Sequence, residues 1–154
     1  MKTIDLHVHL PGTVRSGTLA DLAAANGGEL PLPASELYPR INSDPTEEEQ
    51  GRGPWFPLLR VYELISASLR TRGDFARTVY EAMEDGYRDS GTVYSELAFS
   101  PSVHLAAGVD YREMVAGISE GIEAARRDLG VDARALAAVK RRTGALTSIS
   151  PRTT

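Results

Sequence analysis

"TIDLHVHLPG", residues 3–12, is the stretch on which the reading of the whole chain turns. Ile4, Leu6, Val8 and Leu10 alternate with Asp5, His7 and His9, the period-two pattern of a strand. The apolar side chains are expected on one face and Asp5 with both histidines on the other. Pro11 and Gly12 then turn the chain. Parallel sheets and barrels place their functional side chains at the carboxyl ends of strands, and His7 and His9 sit at such an end.

Outward from this strand the punctuation is regular. Ser16 is placed to cap a helix that carries Leu19, Leu22 and Ala23 inward and stops at Asn26, Gly27 and Gly28. Residues 28–54, rich in Pro, Gly and acid, read as one long irregular excursion. Phe56, Leu59, Tyr62, Ile65 and Leu69 recur at helical spacing, and Asp74 is the expected cap of a second helix whose inner face is Phe75, Val79, Met83 and Tyr87. "TVYSELAF", residues 92–99, alternates as a strand that Pro101 ends. Asp110 and Glu113 have capping-box spacing for a helix through Met114, Ile118, Ile122 and Leu129, closed by Gly130. "VDARALAAV", residues 131–139, is a third strand. Strands separated by helical connections predict an α/β fold with a parallel sheet.

Composition limits the function classes. A chain of 154 residues with 42% hydrophobic content has the size of one globular domain. A net charge of -4 and interspersed signs offer no electrostatic footprint for nucleic acid or an anionic membrane, so a small neutral ligand is the expected partner. Without cysteine there is no disulfide and no thiolate metal site, which suits a reducing compartment. Any metal must be held by nitrogen and oxygen. No run reaches the roughly 18 apolar residues of a membrane span, and Asp5, His7 and His9 interrupt what would be a signal peptide's apolar region, so a cytoplasmic location is expected.

Histidines at i and i+2 of a strand project from one face and can share an ion at about 2.0–2.1 Å from each ring nitrogen. Two polar side chains facing solvent are the plain alternative. A catalytic zinc takes three or more protein ligands, so His7 and His9 form at best a partial set. His104, the one other histidine, reads as a surface-loop residue after the second strand. Nucleophile-elbow, P-loop and dinucleotide-binding motifs are absent from the sequence.

"DLHVHLPGTVRSGTLADLAAANG" resembles the opening of the adenosine deaminase family of the amidohydrolase superfamily. The likeness runs on through "FPLLRVYELISASLRTRGDFARTVYEAMEDGYRDSGTVYSELAFSP" and "GISEGIEAARRDLGVDARAL", over residues 3–139. It implies the first three strands, with their helices, of an eight-stranded TIM barrel, a fold of about 250 residues. The implied reaction is hydrolytic removal of an exocyclic amine from a purine nucleoside, a zinc ion lowering the pKa of water. By the same resemblance His7 and His9 match the family's first two zinc ligands, Gly12 matches the glycine of the substrate loop, and Phe56 lies on the helix over the site. Leu59 and Tyr62 share that helix, where core packing would produce the same spacing. Pro11 stands where the family usually holds the ribose with an aspartate, and Phe99 where nucleoside enzymes often carry a basic residue; both point away from adenosine itself. The family's remaining zinc ligands and catalytic groups belong to later strands.

Residues 140–154, "KRRTGALTSISPRTT" with its leading Lys140, contain no acid and no apolar period, and read as an unrelated disordered tail of the kind a disrupted reading frame leaves. The expected division is thus 1–139 and 140–154. Three readings stay open. The chain is the N-terminal part of a purine deaminase that self-associates or meets a complementary chain and is inactive alone; it is a non-catalytic remnant; or it is a fragment of a polymerase-and-histidinol-phosphatase (PHP) phosphoesterase, whose domains also begin "DLHxH".

Overall fold

A computed structural model describes residues 1–40 and 56–138. In chain order they form β1 (Thr3–His9), a 3₁₀ turn (Leu10–Thr13), α1 (Ser16–Ala25), α2 (Ala34–Arg40), α3 (Phe56–Ser68), α4 (Arg72–Ser90), β2 (Thr92–Phe99), α5 (Pro101–Ala106), α6 (Tyr111–Leu129) and β3 (Asp132–Ala137). The strands pair in the order β1-β2-β3, parallel throughout, in a sheet that does not close. The predicted α/β class holds. The boundary at residue 139 and the tail lie outside the described residues.

The helices follow from their ends. Thr71, not Asp74, caps α4: its hydroxyl accepts from the Asp74 amide while the Asp74 carboxylate reaches back, so Asp74 is the far member of a capping box. Ser16 is likewise the first helical residue of α1 rather than its cap, because Arg15 holds the extended backbone before it. Asp110 accepts from the amides of Arg112 and Glu113 and starts α6 as expected. Gly91 and Gly130 close α4 and α6 with φ of 65° and 69°. Two further parts of the sequence reading change. Residues 34–40 are helical inside the stretch read as irregular, with Pro39 inside that short helix. The segment after β2 is helix α5, opened by Pro101 at a first-turn position where a missing N–H costs nothing.

Phe75, Val79 and Met83 of α4 are buried with Met114 and Ile118 of α6 and with Leu97 and Phe99 of β2, whereas Tyr87 is exposed at the end of its helix. This core lies on one face of the sheet. Its other face is open, and there Ile4 and Leu136 are 62% and 43% exposed.

Strand β1 departs from simple alternation. Asp5 is level with Ser95 and Val8 with Leu97, so three steps on β1 match two on β2. The extra residue is a bulge, which moves later side chains to the opposite face. Asp5 consequently shares a hollow of about 280 Å³ with Val8, Ser95 and the α4 residues Asp85 and Asp89, and is not on the histidine face. Ile4, level with Tyr94, takes the exposed place that the regular pattern assigned to Asp5.

Candidate functional site

His7 and His9 lie either side of Val8 at the carboxyl end of β1, and beyond the bulge they point the same way. Their Nε2 atoms are 3.1 Å apart and their rings meet edge to face, with centroids at 4.9 Å. Two nitrogens at 2.0–2.1 Å from one tetrahedral ion stand about 3.3 Å apart. The pair therefore has the bite of a chelate within a few tenths of an ångström. Both residues are exposed and open to a ligand from the sheet's uncovered side. Among the described residues no group of three or more His, Cys, Asp or Glu could hold a metal ion.

Beside the pair is a cavity of about 500 Å³ bounded by His9, Gly12, Leu58, Leu59, Tyr62 and Ser100, and closed by the ends of β2 and β3. Its wall is predominantly apolar, as ligand pockets are. Burial pushes the Tyr62 phenol up from its ordinary value of 10.0. Gly12 has an ordinary backbone angle, and a β-carbon built on it would meet no atom of the described residues within 4 Å. Its small size is thus not demanded by packing or by φ; what it leaves free is cavity space. Pro11, by contrast, is buried inside the 3₁₀ turn and does not line the cavity.

The structure therefore brings His9, Gly12, Leu59 and Tyr62 together. His7 reaches the group through its contact with His9. Phe56 is the first residue of α3, and its side chain lies outside the described residues. Sequence reasoning missed Leu58, although it is one helical turn before Tyr62 and faces the same way. Ser100, just past the end of β2, also lines the cavity.

His104 is not a surface residue. It is 2% exposed on α5, edge-on to Phe75 at 5.0 Å, with no hydrogen-bond partner on Nδ1 among the described residues. Burial draws its pKa below 6.5, against the opposing pull of backbone hydrogen bonds at Leu69 and Ser66. It belongs to the core, away from the His7–His9 pair.

A sequence model described as adenosine deaminase matches residues 3–150. The chain belongs to the adenosine deaminase family. An aminodeoxyfutalosine deaminase of Acidothermus cellulolyticus is 34% identical over 131 residues, which is 85% of this chain and 34% of that protein. An adenine deaminase from Arthrobacter aurescens superposes with a TM-score of 0.73 at 25% identity, covering 87% of this chain and 38% of the other. A Burkholderia ambifaria amidohydrolase with bound zinc gives 0.71 at 26%, covering 89% and 35%. The chain thus spans about a third of the length of the relatives it matches. The three parallel strands and their helices correspond to the N-terminal part of the deaminase barrel. Family membership leaves the phosphoesterase reading of "DLHxH" without support. Among the described residues no helix is long and apolar enough to cross a membrane.

Proposed function

We propose that this chain is the N-terminal part of a zinc-dependent deaminase that hydrolyses the exocyclic amine of a purine or a closely related base, and that alone it is inactive. The observation that carries the reading is the 3.1 Å separation of the His7 and His9 Nε2 atoms at the mouth of an apolar cavity. Zinc bound there supplies a Lewis acid that lowers the pKa of water. His7 and His9 would hold it through Nε2. Gly12 leaves room for the flat base against the turn, while Leu58, Leu59 and Tyr62 keep bulk water from that side. The groups that complete coordination and move protons lie outside the described residues, in another segment or a second chain.

Adenosine is not the favoured substrate. The similarity to an enzyme named for adenine supports a free 6-aminopurine base, as does Pro11, which is buried and carries no side-chain acceptor.

Two measurements test this. Cobalt titration of the full chain should give an absorption band that His7→Ala and His9→Ala each abolish. A chimera in which residues 1–138 replace the matching segment of the Arthrobacter aurescens adenine deaminase should retain zinc and release ammonia from adenine, while the chain alone should not. Metal binding indifferent to both histidines would overturn the ligand assignment. Turnover by the chain alone would overturn its inactivity.

A further inference from the structure

The 3₁₀ turn that carries Gly12 has little regular structure of its own to hold it. Thr13 closes it with a hydroxyl bond to the Leu10 carbonyl at 2.8 Å, and the Tyr38 hydroxyl of α2 donates to the Val14 carbonyl just beyond it. The strongest tie comes from Arg15. Its Nη2 donates to Glu84 Oε2 at 2.7 Å and to Asp85 Oδ1 at 2.5 Å, and its Nε to Asp85 Oδ2 at 3.0 Å. The guanidinium thus grips two consecutive carboxylates of α4, one of them with a two-point fork.

The acceptors are themselves fixed. Glu84 also receives Arg88 at 2.7 Å, and neighbouring Glu81, nearly buried, accepts from Thr18 at 2.6 Å and from Arg77 at 2.8 Å. Only Arg15 in this set is joined directly to the turn, three residues after Gly12. Main-chain hydrogen bonding carries the tie onward, since the Leu19 amide bonds the Arg15 carbonyl at 2.9 Å as α1 begins.

We propose that Arg15 is a positioning residue for the candidate site: its fork on Glu84 and Asp85 fixes the Leu10–Thr13 turn, and through it the Gly12 floor and the His9 ring, against α4. This rests on the deaminase reading for its consequence but not for its geometry. The planar five-donor guanidinium can engage both carboxylates at once, whereas lysine offers a single point charge on a flexible stem. Charge alone therefore does not suffice.

The test uses amide hydrogen exchange on the full chain with Arg15→Lys and Asp85→Asn, with Arg88→Gln as a control that disturbs Glu84 without touching the turn. Loss of charged hydrogen bonds should speed exchange at residues 10–14 by about tenfold in the first two variants, with α6 and β3 unchanged. The control should leave residues 10–14 at the wild-type rate. Cobalt affinity, measured in parallel, should fall in Arg15→Lys and hold in Arg88→Gln. Unchanged exchange in both Arg15→Lys and Asp85→Asn, or equal acceleration in Arg88→Gln, would overturn the positioning role. If Arg15→Lys fails to fold, Asp85→Asn, which keeps the arginine, decides the outcome. Failure of the wild type to bind cobalt would count against the metal reading and leave the exchange result to judge the clamp independently.

Discussion

Gly117 on α6 lies so close to the Arg72 carbonyl that a β-carbon there would overlap its oxygen. One turn on, a β-carbon at Gly121 would fall 2.5 Å from the Ala76 carbonyl oxygen and 2.7 Å from Val79 Cβ. The two glycines let α4 and α6 approach at backbone distance behind β2. Replacing either with alanine should destabilise the protein by about 1–3 kcal/mol through overpacking, despite alanine's better helix propensity. Urea unfolding of Gly117→Ala and Gly121→Ala checks this, and a stability at or above wild type would contradict it.

Metal affinity should depend on both ring nitrogens of β1. Removing His7 or His9 converts a two-point attachment into a single bond, and each alanine variant should lose at least about tenfold in cobalt or zinc affinity. Both side chains are exposed, so thermal stability should stay within about 0.5 kcal/mol of wild type. Isothermal titration beside a melting curve separates the two effects.

Gly12 makes the opposite kind of prediction from the glycines of α6. With open space around its missing β-carbon, Gly12→Ala should fold with wild-type stability or slightly better, since alanine restricts the unfolded chain. In the chimeric enzyme it should raise KM for adenine, and Gly12→Val should do so further. A loss of stability with unchanged KM would mean that the cavity is not where the base binds.

His104 should make stability fall in mild acid. Burial lowers its folded pKa below the unfolded value of 6.5, so the unfolded state binds the extra proton first. The contribution is fully present above pH 6.5 and is lost as the pH falls from there toward the folded pKa. The slope from one such proton cannot exceed about 1.4 kcal/mol per pH unit. Denaturant midpoints between pH 5 and 7.5, compared with those of His104→Phe, should show this slope in the wild type and its reduction in the variant. Parallel curves would assign the acid sensitivity elsewhere.

The parts of this fold legible in the sequence are those set by short-range rules. The alternation of β2, the cap at Asp110 and the glycine stop at Gly130 are local in origin, and the structure repeats them. The joint orientation of His7 and His9 was readable for the same reason, since only Val8 separates them. Three features were not readable. The turning of Asp5 depends on which β2 residue it meets, a fact of pairing that no one-strand pattern contains. The burial of His104 depends on α5 folding back so that its ring meets Phe75, a residue 29 positions earlier. The role of Arg15 has no local signal, because its partners, Glu84 and Asp85, are about 70 residues away.

The bulge in β1 also fixes the electrical character of what that strand presents. Were its pairing with β2 unbroken, the Asp5 carboxylate would stand in line with the two imidazoles and contribute a negative charge to anything seated among them. Turned toward α4, it leaves the two imidazoles without a carboxylate beside them on that side of the strand. A cation gripped by β1 would therefore take its neutralising carboxylates from outside this strand.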